Sequence, residues 1–170
     1  MDRKQFQDEL VATALEMGAQ DAKIFAIEDI AFDPRTLLKC LFGCGGGLHY
    51  CPTPETAPAS AMYTEMIKKY KWGILMRSGD LRTGQDITLA LEGKAFYAGY
   101  TFAFGATECV NCQACTREEE KPCVAKHKMR PPLYALGIDV YKTVRGLGWE
   151  LEVVQNREDP AKNITAVFVE

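Results

Sequence analysis

Apolar residues recur at helical spacing in four parts of the chain. Positions three and four residues apart lie on one face of a helix, so this spacing predicts amphipathic helices. The predicted helices cover 6–15, ended by Gly18; 59–70; 87–98; and 140–144, capped by Asp139 and ended by Gly146 or Gly148. Each of these helices has an apolar face that needs a partner surface.

Short apolar runs between the helices predict the strands that supply this surface. The predicted strands cover 22–27, 72–76, 100–104, 149–154 and 164–169. Residues 30–32 extend or pair the first strand, and a polar turn at 77–86 follows the second. The last two strands are expected to be antiparallel neighbours around a polar loop at 156–163.

Alternation of helices and strands predicts an α/β fold, with helices flanking a mixed sheet that is partly parallel. We expect a single domain over residues 1–170, which is long enough for a substantial core. Two cysteine-rich stretches and the turn at 77–86 follow predicted strands. Because the carboxyl ends of parallel strands lie along one edge, both stretches are expected at one edge of the sheet.

The second cysteine stretch carries the strongest chemical signal in the sequence. It reads C-V-N-C-Q-A-C-T-R-E-E-E-K-P-C and contains Cys109, Cys112, Cys115 and Cys123. Three thiols at an even step of three, with a fourth further away, match the iron–sulfur pattern of bacterial-type ferredoxins. Zinc sites are more often built from two separated C-x2-C pairs. The spacing therefore favours an iron–sulfur cluster over zinc.

The first cysteine stretch has a less specific pattern. It contains Cys40, Cys44 and Cys51 in K-C-L-F-G-C-G-G-G-L-H-Y-C-P. Its glycines would let backbone amides approach sulfur atoms closely, and amide hydrogen bonds of this kind tune cluster potentials. A glycine loop with incidental cysteines is the alternative interpretation.

Seven cysteines leave the count one short of two fully thiolate-ligated clusters. The first stretch could hold a cluster with an open iron, or His49 could supply the missing ligand. The two stretches could exchange ligands, with Cys51 or Cys123 serving the other cluster. A single cluster could also draw on both stretches. We predict two 4Fe–4S clusters, with all seven cysteines as candidate ligands.

Composition and charge indicate the cellular compartment of this protein and exclude some classes of partner. A net charge of −3 gives no general electrostatic case for nucleic acid or an anionic membrane as partner. The first residues lack the apolar core of a secretion signal, and no apolar run reaches membrane-spanning length. We therefore expect a cytoplasmic protein without membrane insertion. In that reducing compartment, seven cysteines favour metal or redox chemistry over disulfides.

The cysteine stretches resemble those of a family of small predicted metal-binding proteins, domain of unknown function 2284. The matching landmarks are Lys39, Cys40, Cys44, Cys51 and Pro52 upstream, and Cys109, Cys112, Cys115, Pro122, Cys123, Arg130, Pro131, Gly137, Ile138, Asp139, Val140 and Thr143 downstream. Family members often carry Tyr-Gly after the second upstream cysteine and a Cys-Pro-Pro, where this chain has Gly45-Gly46-Gly47 and Cys51-Pro52-Thr53. The resemblance implies metal binding and no specific reaction.

These patterns predict an electron-transfer protein of anaerobic metabolism, or a component of a redox complex, rather than a stand-alone enzyme. It would exchange electrons with a partner redox protein, because the sequence shows no dinucleotide fingerprint. An enzyme component with an open iron is one alternative, with Arg77, Asp80 and Arg82 as first candidates for holding an anionic ligand. A structural zinc module is the other alternative. His127, in the basic stretch after Cys123, is expected at the surface.

Overall fold

A computed structural model describes residues 2–39, 42, 57–110, 112–113, 116, 123–153, 155 and 162–170. The helices are α1 (Arg3–Glu16), the single turn α2 (Thr36–Leu38), α3 (Ala57–Ile67), α4 (Leu81–Tyr97) and α5 (Val140–Gly146). The strands are β1 (Asp21–Ala26), β2 (Trp72–Ser78), β3 (Phe104–Ala106) and β4 (Asn163–Phe168). Short 3-10 turns cover Ile27–Asp29, Lys126–Lys128 and Leu133–Leu136. None of the described helices combines the length and the apolar composition that a membrane span requires.

The four strands form one sheet in the order β1-β2-β4-β3, and every neighbouring pair is antiparallel. The prediction of a partly parallel sheet is therefore wrong. Strands β2 and β3 do run in the same direction and are joined through α4, as alternation implies. However, the last strand of the chain inserts between them and pairs with both. Strand β2, helix α4 and strand β3 thus form a split β-α-β unit, in which the two strands that run in the same direction are not neighbours.

Helices cover both faces of this sheet and bury a core on each. On one face, α1 and α4 pack on the strands through Phe6, Leu10, Ile87 and Leu91, all at most 2% exposed. On the other face lie α5, the turn Leu133–Leu136 and the buried end of α3. The sheet is therefore the middle of three layers, and the mixed α/β class predicted from the sequence is confirmed.

Three local predictions about strands need correction. The run 149–154 forms no strand where the structure describes it, because β4 is already paired on both sides by β2 and β3. The strand predicted at 100–104 is shifted to β3, since Tyr100 instead stacks on Phe6, with ring centres 5.3 Å apart. Residues 30–32 do not pair with β1, and Phe32 makes a single bridge to Ile138.

The polar turn predicted at 77–86 is wrong for most of its length, because α4 begins at Leu81. The Asp80 carboxylate caps this helix by accepting a 2.8 Å hydrogen bond from the Thr83 amide. Gly84 lets the first turn lie close against β4, where a methyl group would come within 2.1 Å of Asn163 Nδ2. The start of α4 is thus fixed on the sheet by a cap and a close contact.

Replacing Gly84 by alanine is expected to lower the free energy of unfolding by about 2 kcal/mol, because the added methyl overpacks this contact. Gly93→Ala in the same helix is the matched control, since nothing lies within 4 Å of its added methyl. That variant is expected to be more stable by about 0.5–1 kcal/mol, from helix propensity alone. Urea denaturation of both variants measures the difference. Equal effects at the two positions would contradict the close contact.

The Asp80 cap also predicts a dependence of stability on pH. The amide of Thr83, which donates to the carboxylate, holds the pKa of Asp80 below its usual value. A depressed folded-state pKa stabilises the fold above the unfolded pKa of about 4, and this stabilisation is lost as pH falls through the folded pKa. Asp80→Asn keeps a capping oxygen and is expected to be as stable as wild type at low pH. Between pH 2 and 5, wild type is expected to gain stability as the pH rises, whereas Asp80→Asn is not. Thermal unfolding across that range tests the difference.

Candidate metal centre

One backbone hydrogen bond joins the chain just before the second cysteine stretch to the chain just after it. Directly after β3, the Thr107 amide donates to the Pro131 carbonyl at 3.0 Å. All four cysteines of the stretch lie between these two residues in the sequence. The stretch is therefore a closed loop, called here the second cysteine loop, which leaves the sheet at the end of β3 and returns to the same place.

Gln85, on the first turns of α4, connects the two sides of this loop. Its side chain is completely buried, and its Oε1 accepts a 2.7 Å hydrogen bond from the Val110 amide, next to Cys109. Its Nε2 donates to the Lys128 carbonyl at 3.0 Å, on the returning side. One buried amide thus holds together the outgoing and returning parts of the second cysteine loop.

A second bridge, between Arg130 and Glu92, fixes the loop where it rejoins the sheet. Arg130 donates from Nε and from one terminal nitrogen to the two Glu92 carboxylate oxygens, at 2.7 and 2.5 Å. Glu92 also accepts from the Gly105 amide of β3, and Arg130 donates to the His127 carbonyl. The side chains are only 17% and 15% exposed. This two-point ion pair therefore joins α4, β3 and the end of the loop.

The three thiols of this loop that the structure describes, Cys109, Cys112 and Cys123, are half-buried. Within the described residues, no three histidine, cysteine or acidic side chains are grouped closely enough to hold a metal ion. Cys115 lies outside the described residues. The thiol donors suit iron or zinc, but a ligand set in this loop needs more than the three described thiols.

The ligand candidates of the first stretch, Cys40, Cys44, Cys51 and His49, also lie outside the described residues. Its flanks are described, and both contact the turn Leu133–Leu136. Upstream, the Thr36 hydroxyl donates to the Tyr134 carbonyl at 3.1 Å. Downstream, the Thr64 hydroxyl of α3 donates to the Leu136 carbonyl at 2.9 Å. One short turn therefore anchors the chain on both sides of the first stretch.

The prediction that parallel strands bring the two cysteine stretches to one edge of the sheet is wrong. Strands β1 and β3 run in opposite directions and end at opposite ends of the sheet. The structure brings their flanks together by a different route. The second cysteine loop closes on Pro131, two residues before the turn that anchors the flanks of the first stretch. Segment 131–136 therefore links the supports of both cysteine stretches.

A family model described as Predicted metal-binding protein (DUF2284) matches residues 23–169. The chain belongs to this family. The match runs from β1 to the end of β4 and includes all seven cysteines, so the resemblance predicted from their spacing is confirmed. Searches among curated proteins and among solved structures found no match to the chain. Membership of DUF2284 gives a predicted metal-binding domain and leaves the metal unspecified.

The remaining sequence candidates have separate positions in this DUF2284 chain. His127 is exposed, as predicted. Asp80 caps α4 and Arg82 is exposed on the same helix, so neither residue has a described contact with the second cysteine loop. Arg77 lies against the ring of Trp149, with its Cζ 5.6 Å from the ring centre.

Sequence reasoning missed Gln85 and Glu92, although a signal for them existed. Gln85, Thr88 and Glu92 are spaced by three and four residues, so they share one side of α4 beside its apolar stripe. Because 77–86 was interpreted as a turn, Gln85 was not placed on the helix at all. Buried polar side chains next to an apolar stripe require hydrogen-bond partners. The partners of Gln85 belong to the second cysteine loop, and Glu92 bonds to β3 and to Arg130 at the end of that loop.

Proposed function

We propose that this protein is a cytoplasmic iron–sulfur protein that transfers electrons to or from a partner redox protein. The proposed ligands are the thiolates Cys109, Cys112, Cys115 and Cys123 for one 4Fe–4S cluster and Cys40, Cys44 and Cys51 for another. Such clusters accept and release single electrons at potentials set by their surroundings.

The observation that carries the proposal is the clamp of Gln85 on the second cysteine loop. Proteins commonly hold the residues next to metal ligands with hydrogen bonds from outside the ligand set, because this orients the ligands. Here a fully buried amide holds the residue after Cys109 and the returning side of the loop. The loop that carries the four cysteines is thus held from outside, through Val110 and Lys128, by a side chain that is not one of the proposed ligands.

The thiol spacing favours iron over zinc for this loop. Thiolates at Cys109, Cys112 and Cys115 match the ferredoxin pattern, whereas structural zinc prefers separated C-x2-C pairs. The described thiols are half-buried rather than enclosed in the core. Partial exposure suits electron exchange with another protein, which needs one side of the redox centre close to the surface.

The surface beside this loop favours a partner with acidic groups. Lys126 and Lys128 follow Cys123 within five residues and are both exposed. Arg130 is not part of this basic surface, because its charge is paired with Glu92. Exposed cations beside a redox site increase the rate of encounter with a negatively charged partner.

The colour of the protein purified without oxygen tests this function. An iron–sulfur protein is brown, and dithionite bleaches its visible absorption as the clusters are reduced. A structural zinc module would be colourless before and after dithionite. If the protein is colourless and contains zinc, the proposal of electron transfer is wrong, and the same thiols have a structural role.

Replacing Gln85 by leucine is expected to increase the rate of iron loss to a chelator about tenfold, because the loop loses support next to Cys109. The free energy of unfolding is expected to fall by about 2–4 kcal/mol, since the Val110 amide and the Lys128 carbonyl lose their partner. Gln5→Leu, at an exposed position of α1, is the matched control and should change neither quantity. Unchanged iron release from a folded Gln85→Leu protein would show that the clamp does not support the metal site.

A further inference from the structure

Two basic side chains on neighbouring strands meet at one buried tryptophan. Lys23 of β1 is paired with Leu75 of β2, two residues from Arg77, so both basic residues are on the same face of the sheet. Lys23 Nζ lies 5.5 Å and Arg77 Cζ 5.6 Å from the centre of the Trp149 ring. Trp149 is only 6% exposed. Two positive charges are therefore held around one indole ring.

Two hydrogen-bond donors in this cluster have no acceptor among the described residues. Arg77 Nε and Trp149 Nε1 are both buried, and neither has a hydrogen-bond partner in that part of the chain. Buried donors without acceptors are costly and rare in folded proteins. Trp72 Nε1 is a third such donor in the described residues, but it stands alone, whereas Arg77 and Trp149 place two of them in one cluster. Lys23, in contrast, donates to the Leu147 carbonyl at 2.7 Å, which holds its ammonium in place beside the ring.

Asp21 of β1 lies directly opposite Arg77 in the sheet. Its Oδ1 accepts a 2.8 Å hydrogen bond from the Ala22 amide. Within the described residues, no carboxylate makes an ion pair with Arg77 or Lys23. The cluster therefore combines two cations and two buried donors without a described negative partner.

We propose that Lys23, Arg77 and Trp149 form a binding site for a small oxyanion, the chemistry shared by carboxylates and phosphates. The Arg77 guanidinium and the Trp149 N–H donate to its oxygens, and Lys23 supplies the second positive charge. A guanidinium is well suited to this role, because its planar set of donors matches both kinds of anion. The site contains no cysteine, so it is independent of the proposed clusters.

Titration of the full chain with inorganic phosphate, and separately with acetate, tests the proposal. Sodium chloride at equal ionic strength is the control for each titration. The indole N–H signals in nitrogen-15 NMR spectra give the readout. The Trp149 signal is expected to shift in a saturable way with at least one of the two anions, while the Trp72 signal stays in place. Arg77→Gln is expected to weaken binding at least tenfold. Lys4→Gln removes an exposed lysine of α1 and should bind as wild type does.

The source of the oxyanion follows from the two titrations: a response to acetate alone indicates a carboxylate ligand, and a response to phosphate alone a phosphorylated one. If Arg77→Gln does not fold, Lys23→Gln provides the second test and is expected to weaken binding at least threefold. Equal shifts in chloride, no shift with either anion, or unchanged binding by a folded Arg77→Gln protein would overturn the proposal. Binding by Asp21→Asn but not by wild type would also overturn it, because Asp21 would then be the natural partner of Arg77.

Discussion

Cys112→Ser is expected to remove the iron bound by the second cysteine loop, which lowers the content from about eight to about four irons per chain. Cys112 is the middle position between Cys109 and Cys115 in the evenly spaced run. A serine hydroxyl does not replace a thiolate as a ligand for iron, because it remains protonated and binds soft metals weakly. Iron and acid-labile sulfide, measured after purification without oxygen, give the result.

The neighbouring position supplies the control for this variant. Gln113→Ser introduces the same side chain at an exposed residue of the loop and should leave the iron content unchanged. Cys44→Ser tests the first stretch in the same way and is expected to remove the other half of the iron. If Cys112→Ser retained all of its iron, Cys112 would not be a required ligand in the second cysteine loop.

Glu92→Ala is expected to lower the free energy of unfolding by about 3 kcal/mol. The substitution leaves the Arg130 guanidinium, only 17% exposed, without its carboxylate. It also removes the acceptor of the Gly105 amide, which donates to Glu92 at 2.7 Å. Because these contacts hold the returning end of the loop, we also expect faster iron release. Urea denaturation and a chelator assay measure the two effects.

A second ion pair of the chain provides the comparison for Glu92. Glu65 pairs with Lys68 on the exposed side of α3, where water screens the charges. Glu65→Ala is therefore expected to change stability by less than about 1 kcal/mol. A double-mutant cycle with Arg130→Ala isolates the Glu92–Arg130 interaction itself. A coupling energy near zero would show that the bridge does not fix the loop.

Local patterns were sufficient to predict the positions of α1, α3, α5 and the last strand, whereas the first turns of α4 were interpreted as a polar turn. The Asp139 cap is an example, since its carboxylate accepts from the Lys142 amide at 2.9 Å, three residues away. The topology could not be predicted in this way. Strand β4 pairs with β2 across more than 80 residues, and the alternation of helices and strands does not show which strands are neighbours. The parallel sheet was therefore predicted from a crossover that β4 in fact splits.

The candidate ligands were predictable from spacing alone, but the partners of the residues that hold the second cysteine loop were not. Gln85 contacts Val110 and Lys128 at separations of 25 and 43 residues. Nothing near Gln85 in the sequence indicates these partners, because they depend on how α4 lies against the loop. Glu92 is similar, since its role depends on Gly105 and Arg130 reaching the same carboxylate. The candidate ligands thus lie close together in the sequence, whereas the residues that hold their loop lie far from their partners in the sequence.

The metal and sulfide content of the protein purified without oxygen tests the central claim most directly. The account predicts about eight irons and about eight acid-labile sulfides per chain, with little zinc. About four irons would limit the protein to one cluster, and the proposal of two clusters would then be wrong. One or two zinc ions without sulfide would contradict the claim that these thiols hold iron–sulfur clusters.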